Sequence, residues 1–365
     1  MSSSQWTQQQ LVAHLQDAVE LELYTIPLYL CAMYSITPAA QDESGNNAFS
    51  LIQSVVNEEM LHLELACNTL NALGGHPVLT GGAAPSYPSN IPFIYPPMEM
   101  QLSPVSLRQI LDFMQIELPS YDDPEAEAGP EPDYDTIGAF YDAVENGLAE
   151  VNSFPGNPDL QVSGVFNDDL AVSDLATADQ ALNLIVSQGE GTSITNPDDS
   201  EGVLAHYYRF AEIASNPQWI IGDITEGSGP PEPRVYDMII NPNALTYSAQ
   251  QEHLLGFFDG CFSFLLEWLQ ADFNGNPANV NANNGPISFG MFKVIQPLMQ
   301  YVISQTYDQA GTPEYGQNLT PRFNYVTAGY PKTSILQGLY EALSSADQQS
   351  LSSVAQTLGI PNVVQ

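Results

Sequence analysis

Positive charge is nearly missing from this chain: 6 Lys plus Arg stand against 43 Asp plus Glu in 365 residues, a formal net charge of -37. Phosphate backbones and anionic bilayers need clustered cations, and Arg108, Arg209, Arg234, Lys293, Arg322 and Lys332 are scattered singly. Neither nucleic acid nor a membrane surface is an expected partner. Cysteine is also scarce: Cys31, Cys67 and Cys261 are odd in number, far apart and set in apolar helical runs. That excludes a disulfide framework and Cys-x-x-Cys metal knots and predicts buried free thiols. Long apolar runs are lacking too, since the most apolar stretch, 254–269, is too short to span a bilayer and contains Asp259 and Glu267. The opening Met1-Ser-Ser-Ser-Gln-Trp-Thr-Gln has neither a basic flank nor an apolar signal core, so a cytoplasmic location is the expectation. Nucleophilic triads and phosphate loops are absent as well.

What remains is a chain with enough apolar residues, 44 %, to build a substantial core despite its charge. The bland reading of the acidity is a solvated surface. The shortage of cations has a second consequence. A carboxylate turned into the core cannot count on Arg or Lys, so it must be protonated, hydrogen-bonded or bound to metal.

Periodicity places helices over most of the sequence. Thr7 reads as the N-cap of a long helix over 7–36, interrupted only by Pro27, which predicts a kink. A polar turn over 41–47 leads into a second long helix, 48–73, stopped by Gly74-Gly75 with Pro77 beyond. Together these predict an antiparallel helical hairpin. Residues 75–104 read as an extended excursion and 119–135 as a solvated acidic loop. Further helices are expected near 105–117, 136–150, 174–190, 200–215, 247–272 and 288–309, with a helical tail after 334. Strand signals are limited to short runs such as 235–240. The class is all-α with long loops.

Acids and histidines interrupt the apolar stripes of these helices. Leu11, Leu15, Ala18, Glu22, Thr25 and Tyr29 step by four and three, so Glu22 points into the core, whereas Glu20 lies about 200° around the helix from it. On the second helix the stripe Ile52, Val55, Glu59, His62, Ala66 contains Glu-x-x-His, which puts a carboxylate and an imidazole within reach of one cation. Glu58 also shares a face with His62 and is a rival ligand, or an acceptor behind it, with Glu59 preferred. Leu182, Val186 and Glu190 end one later helix, and Val203, His206, Phe210 and Ile213 form a stripe on the next, so Glu190 and His206 flank one short loop. A single histidine on a helix face is usually structural. Three Glu and two His on four separate stripes point to a divalent metal.

The runs Glu22-Leu-Tyr-Thr-Ile-Pro-Leu-Tyr-Leu, Asn57-Glu-Glu-Met-Leu-His through Gly-Gly-His-Pro77, Ser187-Gln-Gly-Glu-Gly191 and His206-Tyr-Tyr-Arg-Phe210 resemble the ferritin-like domain of the iminophenyl-pyruvate dimer synthase family, over about residues 8–215. The resemblance implies a ferritin-like four-helix bundle over 1–216, with a helical extension over 217–365 packed on it. It also implies a di-iron or other divalent-metal site with Glu22, Glu59, His62, Glu190 and His206 as ligands. The implied activity is oxidoreductase chemistry on a small aromatic, amino-acid-derived metabolite, by reductive activation of oxygen at a ferrous site. One departure stands out. The fourth helix of such bundles offers a second Glu-x-x-His, and here residue 203 is Val. Glu212 points off the stripe, so the expected site is asymmetric.

Other readings stay open, metal storage among them, although a storage cage would not need so large a carboxyl-terminal part. The scaffold could be a non-catalytic binder of a hydrophobic small molecule or pigment, using the aromatic faces of Phe257, Phe258, Phe262, Phe264 and Trp268. The plainer reading is that those faces close the core or a homodimer interface. Helices 247–272 and 288–309 also match the first hairpin in length better than 174–190 and 200–215 do. If they complete the bundle, Glu190 and His206 fall outside it.

Overall fold

The computed structural model describes residues 6–119, 129–131, 133–162, 170–191, 196–199, 202–221, 234–280 and 285–361. α1 (Gln8–Ser35) begins at Thr7 in a capping box. The Thr7 hydroxyl accepts from Gln10 N at 3.2 Å, and the Gln10 side chain accepts from Thr7 N at 3.0 Å. The helix runs on through Pro27 without a break. After the single turn α2 (Pro38–Gln41), α3 (Ala48–Ala72) packs along α1 as the expected hairpin. Gly74, at φ 83°, ends α3 in the left-handed region that glycine enters without a Cβ clash.

The excursion that follows holds a two-stranded antiparallel sheet, β1 (Ser89–Asn90) and β2 (Glu99–Met100), with Ser89 opposite Met100. Three hydroxyl or carboxyl caps then start three helices: Ser106 for α4 (Leu107–Ile116), Thr136 for α5 (Ile137–Val151) and Asp174 for α6 (Leu175–Glu190). α7 (His206–Ser215) and the single turn α8 (Gln218–Ile221) complete this half. α5, α6 and α7 close the α1/α3 hairpin: α5 packs on α1, and α6 and α7 pack on α3, while α4 lies against α7.

The carboxyl-terminal part has its own apolar centre. α9 (Ala249–Gly275) packs on α10 (Pro277–Val280), on a π-helical segment Pro286–Ile295 continuing as α11 (Gln296–Ser304), and on α12 (Ser334–Glu341). α13 (Ser345–Ser350) and α14 (Ser352–Thr357) finish the chain, α14 against the π-helical segment. Phe258 and Phe262 meet Phe323 edge-on at 4.8 and 5.1 Å, and Trp268 stacks on Tyr330 at 5.8 Å. The aromatic faces of α9 thus close a core. α11 touches α1, and Asn71 at the end of α3 donates to Phe273 O at 3.0 Å, which joins this part to the hairpin.

The molecule is all-α with a helical carboxyl-terminal extension, and several elements differ from the periodicity. α7 starts at His206 rather than near 200, which leaves Val203 half-exposed in the preceding loop. Residues 235–240 form only isolated bridges, Ile36 with Val235 and Met238 with Asn318, because no neighbouring strand extends them. It is α5, α6 and α7 that complete the bundle, not the long pair at 249–304. The acidic loop 119–135, the connector 151–173 and the Asn-rich loop 274–286 lie in part outside the described residues. Cys31, Cys67 and Cys261 are buried and free. No described helix is long and apolar enough to cross a membrane.

Candidate metal centre

Six side chains converge inside the bundle, all of them buried: Glu22 from α1, Glu59 and His62 from α3, Glu117 just past α4, Glu190 at the last residue of α6 and His206 at the first of α7. Five were expected from their apolar stripes. The sixth, Glu117, was not among them, although Ile110, Phe113 and Glu117 are spaced by three and four along α4. The cavity between Glu22, Glu59, His62, Glu117 and Glu190 has a volume of about 20 Å³, a space on the scale of bound ions and far below that of an organic ligand.

Both imidazoles point the same ring nitrogen inward. His62 Nδ1 faces Glu22 Oε2 at 3.5 Å and Glu59 Oε1 at 3.8 Å, while its Nε2 bonds Gln188 Oε1 at 2.9 Å. His206 Nδ1 lies 3.0 Å from Glu59 Oε1 and 3.7 Å from Glu117 Oε2, yet aligns with no hydrogen-bond partner. Its Nε2 bonds Glu58 Oε2 at 2.9 Å. Each outward nitrogen is fixed by a carbonyl or carboxylate oxygen, the arrangement that orients a metal-ligating imidazole and keeps its other nitrogen for the metal. Glu59 lies between the two rings, whose centroids are 5.3 Å apart. Ligand atoms of Glu59, His62 and His206 all fall within 4.8 Å of one another.

Glu58 therefore stands behind His206, not beside His62. Its partner is Arg209, which is buried and donates through Nη1 at 2.9 Å to Glu58 and at 3.0 Å to Ser54 Oγ. Burial drives the Glu58 carboxyl upward, but His206 and Arg209 outweigh it and hold it below the usual carboxylate range. Hydroxyls orient the inner carboxylates: Tyr141 donates to Glu22, Tyr29 to Glu117 and Thr25 to Glu59. Tyr24 instead donates to Ser89 O at 2.7 Å, and Tyr207 packs edge-on against Tyr208.

The electrostatics call for a cation. Among the described residues no Lys or Arg forms an ion pair with Glu22, Glu59 or Glu117. Burial first, then Glu117, pushes the Glu59 carboxyl up. Burial works to lower the histidines, but Glu22 and Glu59 raise His62 above its ordinary value, and Glu117, Glu58 and Glu59 raise His206 well above it. The acids thus favour a positive charge at the imidazoles, and a divalent ion would supply that charge in place of protons. Glu117 and Glu190 lie at helix carboxyl ends, where the helix dipole already disfavours an anion, and this adds to the demand.

Close backbone approach makes room for the cluster. A Cβ on Gly138 of α5 would lie 2.1 Å from Glu190 Oε1, and one on Gly189 would lie 3.3 Å from Glu117 Oε2. The donor set, four carboxylates and two imidazoles around a small buried space, fits iron or another divalent transition metal. It also supplies a fourth carboxylate from α4 where the fourth-helix glutamate is missing.

A solved structure of a ferritin-like protein from Caulobacter vibrioides matches with a TM-score of 0.58 and 26% identity, over 78% of this chain and 95% of that one. No curated protein matches the sequence. The ferritin-like family model matches residues 15–215, a span that includes all six converging side chains. With more than half of its length matched, the chain belongs to the ferritin-like family.

Proposed function

We propose that this protein is a metal-dependent oxidoreductase whose cofactor is a pair of divalent ions, iron foremost. Glu22 and His62 would hold one ion and Glu117 and His206 the other, with Glu59 between them and Glu190 as the fourth carboxylate ligand. The observation that carries the reading is the paired turn of His62 Nδ1 and His206 Nδ1 toward carboxylates, with both Nε2 atoms held from outside. Iron in this setting supplies electrons for oxygen-dependent oxidation of an organic substrate. The protein's own part is to fix the carboxylates through Tyr29, Tyr141 and Thr25, to keep water out with Leu21, Ile137 and Ile185, and to anchor His206 through Glu58 and Arg209. The resemblance to iminophenyl-pyruvate dimer synthases supports a small aromatic, amino-acid-derived and nitrogen-containing substrate.

Metal analysis of protein purified from iron-supplemented cells tests this directly. About two divalent ions per chain are expected, and His62→Ala is expected to lose them. A metal-free chain, or His62→Ala with unchanged metal content, would refute the proposal. A chain without metal that carries an organic chromophore would replace it with the binding-protein reading.

A further inference from the structure

A second, larger cavity lies between the β1/β2 hairpin, α4 and the start of α5, with a volume of about 490 Å³. That is the size of a small-molecule site. Its floor is apolar, made by Ile91, Ile94, Met98, Ile116 and Ile137. Two of these residues tie it to the metal centre. Ile116 directly precedes Glu117, and Ile137 lines both this cavity and the small one among the carboxylates. A molecule lying on this floor is one side chain away from the clustered acids.

The rim has the opposite chemistry. Arg108 is the cation among the lining residues, and its Nε already donates to both oxygens of Asp112, at 2.9 and 3.0 Å. Glu99 and Asp135 are exposed at the edge, and no described Lys or Arg forms an ion pair with either. Three acids against one engaged base repel an anionic ligand and attract a cationic one, and the net charge of -37 acts in the same direction.

We infer that this cavity is the substrate pocket of the metal centre and that it takes an apolar, amine-bearing molecule, its aromatic or branched body on the isoleucine floor and its ammonium group at Glu99 and Asp135. The inference rests on the reading of the six buried side chains as a metal centre. It narrows the substrate class to amines and disfavours free carboxylic acids.

Calorimetric titration of the metal-loaded full chain with tryptamine and with indole-3-acetate, molecules of one ring system and opposite charge, tests it. Tryptamine is expected to bind at least about tenfold more tightly, and Glu99→Gln with Asp135→Asn to remove most of that preference. Met98→Trp, which fills this cavity at a residue that does not line the small one among the buried carboxylates, is expected to weaken tryptamine binding about tenfold or more while metal content stays unchanged. Ile94→Trp is the second filling variant should the first not fold. Indole-3-acetate binding as tightly as tryptamine, or tryptamine binding unaffected by a folded filling variant, would overturn the inference and leave the metal reading intact. Tryptamine binding to a chain that takes up no metal would overturn the metal reading and, with it, the pocket's role in catalysis.

Discussion

Tyr29 and Tyr141 are wholly buried phenols that each donate to one carboxylate of the cluster. Burial and the surrounding glutamates push both phenols well above their ordinary range, so they stay protonated donors across the physiological range. Replacing either with Phe should leave the carboxylate unsupported and weaken metal binding about 10- to 100-fold. Competition with a chromophoric chelator measures this, and an unchanged affinity would show that the hydroxyls do not orient the ligands. Gly138 makes a second residue-scale case. Ala at this position would place its Cβ 2.1 Å from Glu190 Oε1, so Glu190 must move, and metal content should fall from about two ions toward one. Glu22, Glu59 and His62 were legible in the sequence because each interrupts a long apolar stripe. Glu117 carries a similar signal on a helix of 10 residues, but the acidic run after it makes any one glutamate there read as solvated.

At the scale of elements, the centre is built from helix ends as much as helix faces. α4 and α6 deliver carboxylates at their last turns, and α7 delivers His206 at its first residue, so the starts and stops of these helices set the site. The Asp174 capping box fixes where α6 begins, 16 residues before Glu190. Asp174→Ala should cost about 1 kcal/mol in urea unfolding. Because the cap is remote from Glu190, metal content should not change, and a loss of metal would mean that the α6 register depends on its cap. Arg209 anchors α7 to α3 through Glu58 and Ser54. Arg209→Leu removes the permanent cation beside Glu58 and should cost about 3 kcal/mol, the lower end for a broken buried pair because Glu58 is partly exposed. Helix length pointed to the 249–304 pair as bundle partners. The faces of α9 are consumed by Phe323 and Tyr330, and its Asp259 accepts from Arg322 at 2.9 Å, so that helix had no face left for the hairpin's acids.

Over the whole molecule, the charge imbalance sets the response to solution conditions. A net charge of -37 makes the compact state self-repelling, so screening should stabilise it. The melting temperature of metal-free protein is expected to rise by a few degrees as NaCl goes from about 10 mM to about 300 mM. A flat or falling curve would mean that the acids are already well separated or internally balanced. The pH dependence has a definite sign. Burial, the leading cause in each, raises Asp17 and Asp259 to about 6 and Glu145 to about 7 in the folded state. Between about pH 4 and pH 7 the native chain therefore holds protons that the unfolded chain has released, and stability falls as pH rises through this window. Metal-free protein should melt higher near pH 5.5 than near pH 8, as thermal scans at fixed ionic strength would show.

The helical class, the α1/α3 hairpin and the inward turn of Glu22, Glu59 and His62 follow from local pattern, because helical period and caps are local and the hairpin turn is short. The sequence also makes basic partners scarce for any acid turned inward, with 6 Lys plus Arg scattered among 43 Asp plus Glu; the fold pairs Arg209 with Glu58 and Arg322 with Asp259, and among the described residues none with Glu22, Glu59 or Glu117. Tertiary structure alone decided which helices complete the bundle and that Glu117 joins the cluster. It alone placed Glu58 behind His206, Tyr141 on Glu22, and an apolar cavity one isoleucine away from the carboxylates. Those relations join residues 88, 119 and 148 positions apart, and contacts at such separations are set by competition among packing faces, which no local pattern encodes.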